Sequence, residues 1–336
     1  MDLSTTYMGI ELKNPIIIGA SNLVTNTKYL EKIQRAGASA LVYRSLFEEQ
    51  LHLENLEFSE SNLEFQDRNS EASSFMPKFE HAGPREYLAL LKNAKSILEI
   101  PLFASLNAVY EESWVSYAQR IEDIGVDGIE LNFYSVPNEM DSGAFEVIDW
   151  QIEILQKIRK AVDIPIAVKL SPYYSNPLQL IRRMEDAGAE AFVLFNRFFQ
   201  PDIDLEKEAL VFPYNLSSEN DYRLSMRFAG LLYGNLNASI CGSNGIFTGY
   251  DVAKLILAGA NATQVVSTLY KNGIGQIDLI INQLKSFMES KGYEKLDDFR
   301  GKLSKNNIND PFAYNRAQYI DILINSRDIY KKYPLV

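Results

Sequence analysis

Eight short, nearly continuous apolar runs recur along the chain with longer amphipathic stretches between them. They are Pro15–Ala20, Ala38–Arg44, Pro101–Leu106, Asp127–Asn132, Pro165–Leu170, Ala189–Phe195, Ala238–Gly242 and Ala262–Ser267. Runs this short and this apolar read as strands covered on both faces, the condition of a buried parallel sheet. Helical spacing occupies Tyr29–Ala36, Trp114–Ile124, Ile152–Ala161 and Leu178–Ala187, each ahead of the next strand. The junctions repeat as well: Ala36-Gly37-Ala38, Ile124-Gly125-Val126-Asp127, Ala187-Gly188-Ala189 and Ala258-Gly259-Ala260. Glycine there takes the left-handed conformation that ends a helix and turns the chain into a strand. Repeated helix–Gly–strand units imply right-handed βαβ crossovers. Eight of them favour a closed (β/α)₈ TIM barrel over a doubly wound open sheet.

Three segments stand outside the repeat. Residues 3–13 read as a hairpin able to plug the barrel floor. Residues 45–85 are a polar insertion after the second strand, rich in Glu, Ser and Asn, and long loops there are usually functional lids or disordered segments. Residues 304–336 read as a polar linker and a Tyr-rich helical tail (Tyr314, Tyr319, Tyr330, Tyr333) that packs on the barrel or a partner subunit. No domain boundary falls inside 1–303, so 1–303 is expected to be the barrel and 304–336 an extension of it.

Composition narrows the function classes. With 46% apolar and 23% charged residues the chain is balanced like a soluble globular protein. A formal net charge of −11, with no basic run, argues against nucleic acid or an anionic membrane as partner. The single cysteine, Cys241, allows no internal disulfide, and the two histidines, His52 and His81, form no cluster at metal spacing. A zinc site or a histidine-based triad is therefore not expected, and neither is any other metal. No basic-then-apolar leader opens the sequence and no stretch offers eighteen consecutive apolar residues, so the expected compartment is the cytoplasm.

In a barrel of this kind chemistry sits where strands end. Those positions hold Ala20-Ser21-Asn22, Arg44, Ser105 with Asn107, Asn132, Lys169, Asn196, Gly242-Ser243-Asn244-Gly245 and Ser267-Thr268. The last two turns, after the seventh and eighth strands, have the composition of a phosphate cradle, and equally of ordinary βα turns. Lys169, flanked by Val168 and Leu170, points into the barrel mouth or is buried at high cost. Arg44 ends a similar run and admits both readings. Asn132 and Asn196 also close apolar strands; several amides facing one mouth suit a polar, uncharged heterocycle. Cys241 reads as a small core residue rather than a nucleophile. His52 and His81, in the polar insertion, read as surface residues.

Taken in order, these residues resemble the dihydroorotate dehydrogenase family, and within it the soluble class 1 enzymes. The resemblance runs from about Leu12 to Leu303. It is carried by Asn14-Pro15, Ala20-Ser21, Glu130-Leu131-Asn132 with Pro137-Asn138, Val168-Lys169-Leu170-Ser171-Pro172-Tyr173, Phe195-Asn196, Gly242-Ser243-Asn244-Gly245-Ile246 with Thr248-Gly249, and Lys291-Gly292-Tyr293 leading to Phe299-Arg300-Gly301-Lys302-Leu303. The resemblance implies FMN as cofactor and a dihydropyrimidine as substrate, in pyrimidine biosynthesis. The substrate would lose a proton from C5 to a base and a hydride from C6 to flavin N5. Lys169 would lie beside the flavin N1/O2 edge, where a cation stabilises negative charge. Ala20 and Ser21 would contact the isoalloxazine, with Arg44, Asn132 and Asn196 also at the cofactor. Gly242, Asn244, Gly245, Ser267 and Thr268 would hold the phosphate, and Asn132, Asn138 and Asn196 the pyrimidine.

The departures are specific. Arg44 stands where the family has lysine, keeping the charge and changing the donor geometry. The family's substrate loop would fall near Ser74-Phe75-Met76-Pro77-Lys78 and is not preserved; Phe75 takes the place of its asparagine. The class 1 catalytic cysteine is absent from Asn132-Phe133-Tyr134-Ser135-Val136-Pro137-Asn138. Ser135 is the nearest base, as class 2 members use serine, and a structural role for it stands equally open. Two alternatives therefore stand beside dihydropyrimidine oxidation: a flavin oxidoreductase with another substrate, and a non-catalytic flavin-binding or electron-transfer subunit. The family implies a homodimer. Any iron–sulfur centre would sit on a redox partner chain, since this sequence has no ligand cluster for one.

Overall fold

A computed structural model describes residues 1–47, 84–107, 110–134, 143–214, 216–314, 320, 323–324 and 331. A short antiparallel pair, β1 (Thr5–Tyr7) and β2 (Ile10–Leu12), precedes the barrel. The barrel strands are β3 (Ile16–Ile18), β4 (Ala40–Phe47), β5 (Leu102–Asn107), β6 (Gly128–Asn132), β7 (Ile166–Leu170) and β8 (Ala191–Leu194). After an excursion through a second hairpin, β9 (Asp202–Asp204) and β10 (Ala209–Val211), come β11 (Ser239–Gly242) and β12 (Ala262–Val265). The eight parallel strands close in sequence order, β12 pairing with β3. The chain is thus a (β/α)₈ barrel, and each expected run supplies one strand.

Helices follow the strands in turn: Thr27–Arg35, Pro84–Ile97, Glu111–Glu122, Ala144–Ala161, Pro177–Asp186, Tyr222–Leu232 and Gly249–Ala258. Ser267–Asn272 and Gln276–Lys291 follow the last strand. Their starts have local causes. Asn26 Oδ1 accepts from Lys28 N at 3.0 Å, opening the first helix two residues before the expected Tyr29. Glu146 accepts from Gly143 N at 3.1 Å, so the fourth helix begins at Ala144 rather than Ile152. Gly37, Gly125, Gly188 and Gly259 all have positive φ, as their place between helix and strand demands.

Side-chain alternation sorts the strands into two cores. Outward residues such as Ile16, Leu41, Leu102, Ile129, Val168, Phe192 and Ile240 pack under the helices. Inward residues Ile17, Ala40, Val42, Phe103, Ala167, Ala191, Val193, Cys241 and Ala262 fill the axis. Most of these are small, and the space they leave is filled by Tyr7, Met8 and Leu12 of the first hairpin. Met8 and Gly9 both take positive φ (52° and 74°), the geometry of a tight two-residue hairpin turn. The hairpin is fastened by Thr5 Oγ1 to the Asn261 carbonyl (2.9 Å), by Arg300 Nη2 to Thr5 Oγ1 (2.9 Å) and by Met8 N to Ser239 Oγ (3.2 Å). It stoppers the floor, and a cavity lies at the carboxyl ends of the strands.

Two excursions complete the description. The hairpin of β9 and β10 was not anticipated from the sequence. The turn Pro311–Tyr314 lies on helix Tyr222–Leu232, where Arg227 Nη2 donates to the Tyr314 carbonyl at 2.7 Å. Residues 48–83 of the polar insertion, with His52, His81 and Phe75, lie outside the described residues. Among the described residues no helix is long and apolar enough to cross a membrane, and no group of three His, Cys, Asp or Glu is placed to hold a metal.

Candidate active site

At the open end a cavity of about 180 Å³ lies between the ends of β3, β7, β8, β11 and β12. Six residues expected at the site meet in its lining: Ala20, Lys169, Asn196, Asn244, Gly245 and Ser267. Positions more than two hundred residues apart in sequence converge because parallel strands end on one face.

One side of the cavity is a rigid turn. Asn244 and Gly245 both take positive φ (67° and 60°). Asn244 Nδ2 donates to the Phe195 carbonyl at 2.8 Å, and Ser243 Oγ donates to the same oxygen at 3.1 Å. A Cβ on Gly245 would meet Ser218 O at 2.5 Å and Asp221 N at 2.6 Å, so the turn is pressed against the loop that leads into helix Tyr222–Leu232, as only glycine allows. Beyond it Thr248 and Asp251 cap helix Gly249–Ala258 reciprocally, Asp251 N donating to Thr248 Oγ1 at 3.2 Å and Thr248 N to Asp251 Oδ2 at 3.0 Å. Ser267 Oγ accepts from Ser217 N at 2.8 Å, which leaves its own proton free to donate into the cavity.

Two of the expected phosphate residues stand behind this lining. Gly242 lets helix and strand pack closely: a Cβ there would meet Leu255 at 2.7 Å. The buried Thr268 hydroxyl accepts from Asn272 Nδ2 at 3.3 Å.

The opposite side is polar and carries charge. Lys169 Nζ donates to Gln264 Oε1 at 3.2 Å, and Gln264 Nε2 donates to Glu130 Oε2. Glu130 Oε1 faces Lys169 Nζ at 3.5 Å. Asn196 Nδ2 donates to Asn132 Oδ1, and Asn107 Nδ2 to the Asn132 backbone carbonyl at 2.9 Å. Ser105 turns elsewhere, bonding Ser45 Oγ at 2.7 Å beneath Tyr87. Cys241 is buried in the axis below; burial and the Glu130 charge push its thiol well up, so it stays protonated and is no nucleophile.

Arg44 takes a different place from the other expected residues. It lines a second cavity of about 310 Å³ with Asn22, Thr25, Tyr43, Glu86 and Tyr87. The pairing of β4 with β5 shifts register between Tyr43 and Leu46, and this irregularity lies at Arg44. Ser135 and Asn138 lie outside the described residues.

The residues present can hold a phosphorylated, acceptor-rich ring. Ser21 Oγ and Arg44 Nε are buried donors without a hydrogen-bond partner among the described residues. Such groups cost about 1–3 kcal/mol each unless something accepts from them. Gln264, Arg197 and Ser217 belong to the site or its support and were not singled out from sequence, and Glu130 was noted there only within the Glu130-Leu131-Asn132 motif, without a role of its own. For Glu130 and Gln264 the signal was there: both are polar residues inside apolar strands, as Lys169 is.

Comparison with known proteins agrees with this geometry. The family model for dihydroorotate dehydrogenase matches residues 77–288, more than half of the chain. The catalytic subunit of dihydroorotate dehydrogenase B (NAD(+)) from Thermoplasma volcanium is 28% identical over 313 residues, covering 89% of this chain and 98% of that one. Chloroplastic dihydropyrimidine dehydrogenase (NADP(+)) from Arabidopsis thaliana is 25% identical over 326 residues, 89% of this chain and 76% of that one. Dihydroorotate dehydrogenase A (fumarate) from Lactobacillus delbrueckii subsp. bulgaricus is 30% identical over 223 residues, 65% of this chain and 72% of that one. With its barrel, its mouth and this match together, the chain belongs to the dihydroorotate dehydrogenase family, as an oxidoreductase acting on CH–CH groups.

Proposed function

We propose that the chain binds FMN at the barrel mouth and oxidises dihydroorotate or a related dihydropyrimidine. The observation that carries this reading is the meeting of Lys169, Asn196 and the Asn244–Gly245 turn around one cavity. FMN supplies a two-electron acceptor there. Asn244, Gly245 and Ser267 hold its phosphate, supported from behind by Gly242 and Thr268. Ala20 and Ser21 would contact the ring, and Lys169 would present positive charge to it, stabilising the reduced, anionic form. Arg44 adds a second cation on the β4 side. Asn132, Asn138 and Asn196 hold the pyrimidine, and Ser135 takes the proton from C5. The Thermoplasma relative is by name a catalytic subunit, which supports an electron-accepting partner chain here as well; a homodimer is the assembly we propose for the chain itself.

The test is anaerobic mixing of the purified, FMN-loaded protein with dihydroorotate while the flavin absorbance is followed. Rapid bleaching is expected. No bleaching over many minutes would rule out this substrate. A second reading keeps the flavin and changes the substrate, and Arg44 favours it: a guanidinium in its own cavity beside Glu86 is a different recognition group from a lysine. Bleaching by dihydroorotate that is lost in Ser135→Ala removes the basis of that second reading.

A further inference from the structure

We propose that Glu130 is a positioning residue that governs the charge Lys169 presents at the mouth, and so sets how readily the bound flavin accepts electrons. The inference rests on the FMN reading above.

Glu130 lies in the middle of β6 between Ile129 and Leu131, with its side chain only 2% exposed. A carboxylate so buried is expensive unless charge and hydrogen bonds compensate it. The compensation comes from two other strands. One oxygen, Oε2, accepts from Gln264 Nε2 on β12, and the other, Oε1, faces Lys169 Nζ on β7 at 3.5 Å. The ring closes because Lys169 Nζ donates to Gln264 Oε1 at 3.2 Å.

This ring fixes the Gln264 amide in one orientation. Its N–H must meet the carboxylate and its carbonyl the ammonium; reversed, it would set N–H against ammonium and oxygen against carboxylate. Lys169 and Gln264 line the mouth cavity and Glu130 does not. A ligand therefore touches the lysine and the amide, while the carboxylate acts on it from deeper in the barrel, level with Ala167, two residues before Lys169 on β7. At 3.5 Å the carboxylate stands beyond hydrogen-bonding distance of the ammonium, and its Oε1 has no hydrogen-bond partner among the described residues. The ammonium is thus tethered to Gln264, at the mouth, rather than drawn down onto Glu130. Reduction of the flavin adds negative charge beside Lys169, and a buried carboxylate behind that lysine opposes it.

Two variants move the potential in opposite directions. Glu130→Gln keeps the shape and removes the charge, so the bound flavin should become easier to reduce, with a more positive potential. Gln264→Met removes the tether and leaves the charges, so Lys169 moves toward Glu130 and the potential should become more negative. The measurement is the reduction potential of protein-bound FMN by equilibration with reference dyes, in parent and variants, after FMN stoichiometry is confirmed by absorbance. A role for Glu130 in folding alone would lower FMN occupancy and leave the potential of the bound fraction unchanged. That result in Glu130→Gln, or in Gln264→Met should Glu130→Gln not fold, overturns the inference. A parent protein that takes up no FMN overturns the reading beneath it, and the inference with it.

Discussion

Asn196 donates its side-chain amide to Oδ1 of Asn132, joining the end of β8 to the end of β6 across the barrel mouth. The bond makes the two asparagines one unit: the orientation of either amide is decided by the other. Asn132→Ala should leave the Asn196 amide without its acceptor, costing about 1–3 kcal/mol of stability if the group stays dry. Substrate KM should rise at least roughly tenfold, from the same loss of a hydrogen-bonding unit. Denaturant unfolding and steady-state kinetics on the variant check both.

Gly245→Ala adds the Cβ that would meet Ser218 O at 2.5 Å, at a residue whose φ is 60°. A left-handed alanine costs about 1–2 kcal/mol before any clash is counted. The loop at 216–221 must move, and Ser217, which bonds Ser267, moves with it. FMN affinity should fall by roughly tenfold or more, one factor of ten per about 1.4 kcal/mol, with the far-UV spectrum unchanged. Flavin fluorescence titration gives the comparison.

The Cys241 thiol offers a pH test. Its folded-state pKa is raised above the ordinary 9.0 by burial first and by the Glu130 charge second. Well below pH 9 the thiol is protonated in both folded and unfolded chains and adds no pH dependence. Above it the unfolded chain releases the proton and the folded chain does not, so stability falls as pH rises, by at most about 1.4 kcal/mol per pH unit for this one group. Urea unfolding between pH 8 and 11 should show a shallower decline in Cys241→Ala than in the parent. Equal slopes would mean the thiol ionises as readily folded as unfolded.

Tyr7 separates packing from polarity. Its ring lies 5.9 Å from that of Phe103, centroid to centroid, while its hydroxyl is buried without a hydrogen-bond partner among the described residues. Tyr7→Phe should therefore be as stable as the parent or more so, by up to about 1–2 kcal/mol. Tyr7→Ala should lose roughly 3–5 kcal/mol, the usual cost of emptying an aromatic site in a core. Thermal unfolding of the pair distinguishes a space-filling tyrosine from one whose hydroxyl matters.

The barrel was legible because its strands are covered on both faces, so burial is written into each run without reference to any other. The cavity lining was legible for a related reason: in this fold the residue after a strand is at the mouth, whatever its neighbours. Asn196, Gly245 and Ser267 could be placed by that rule alone, and Lys169 by its charge within the last residues of an apolar strand. Glu130 and Gln264 could not. Their pairing depends on how β6, β7 and β12 register around the barrel, over sequence separations of 134 and 95 residues. Nor could the position of Arg44, which lies at a register shift of β4 against β5 that no local pattern announces. The hairpin of β9 and β10 escaped because Ile203, Leu205 and Leu210 are exposed, so its apolar residues do not follow core periodicity.

The stopper at the barrel floor carries a consequence for the order of assembly. Thr5 finds Asn261 and Arg300 across separations of 256 and 295 residues, and Tyr7 enters an axis that exists only once the ring of strands has closed. Contacts this distant form late and slowly. During synthesis the hairpin is made long before its socket, and its apolar face must wait, exposed, through nearly the whole elongation of the chain. Docking of the hairpin is then expected to be the closing event of folding, with the burial of Tyr7 reporting that the barrel is complete.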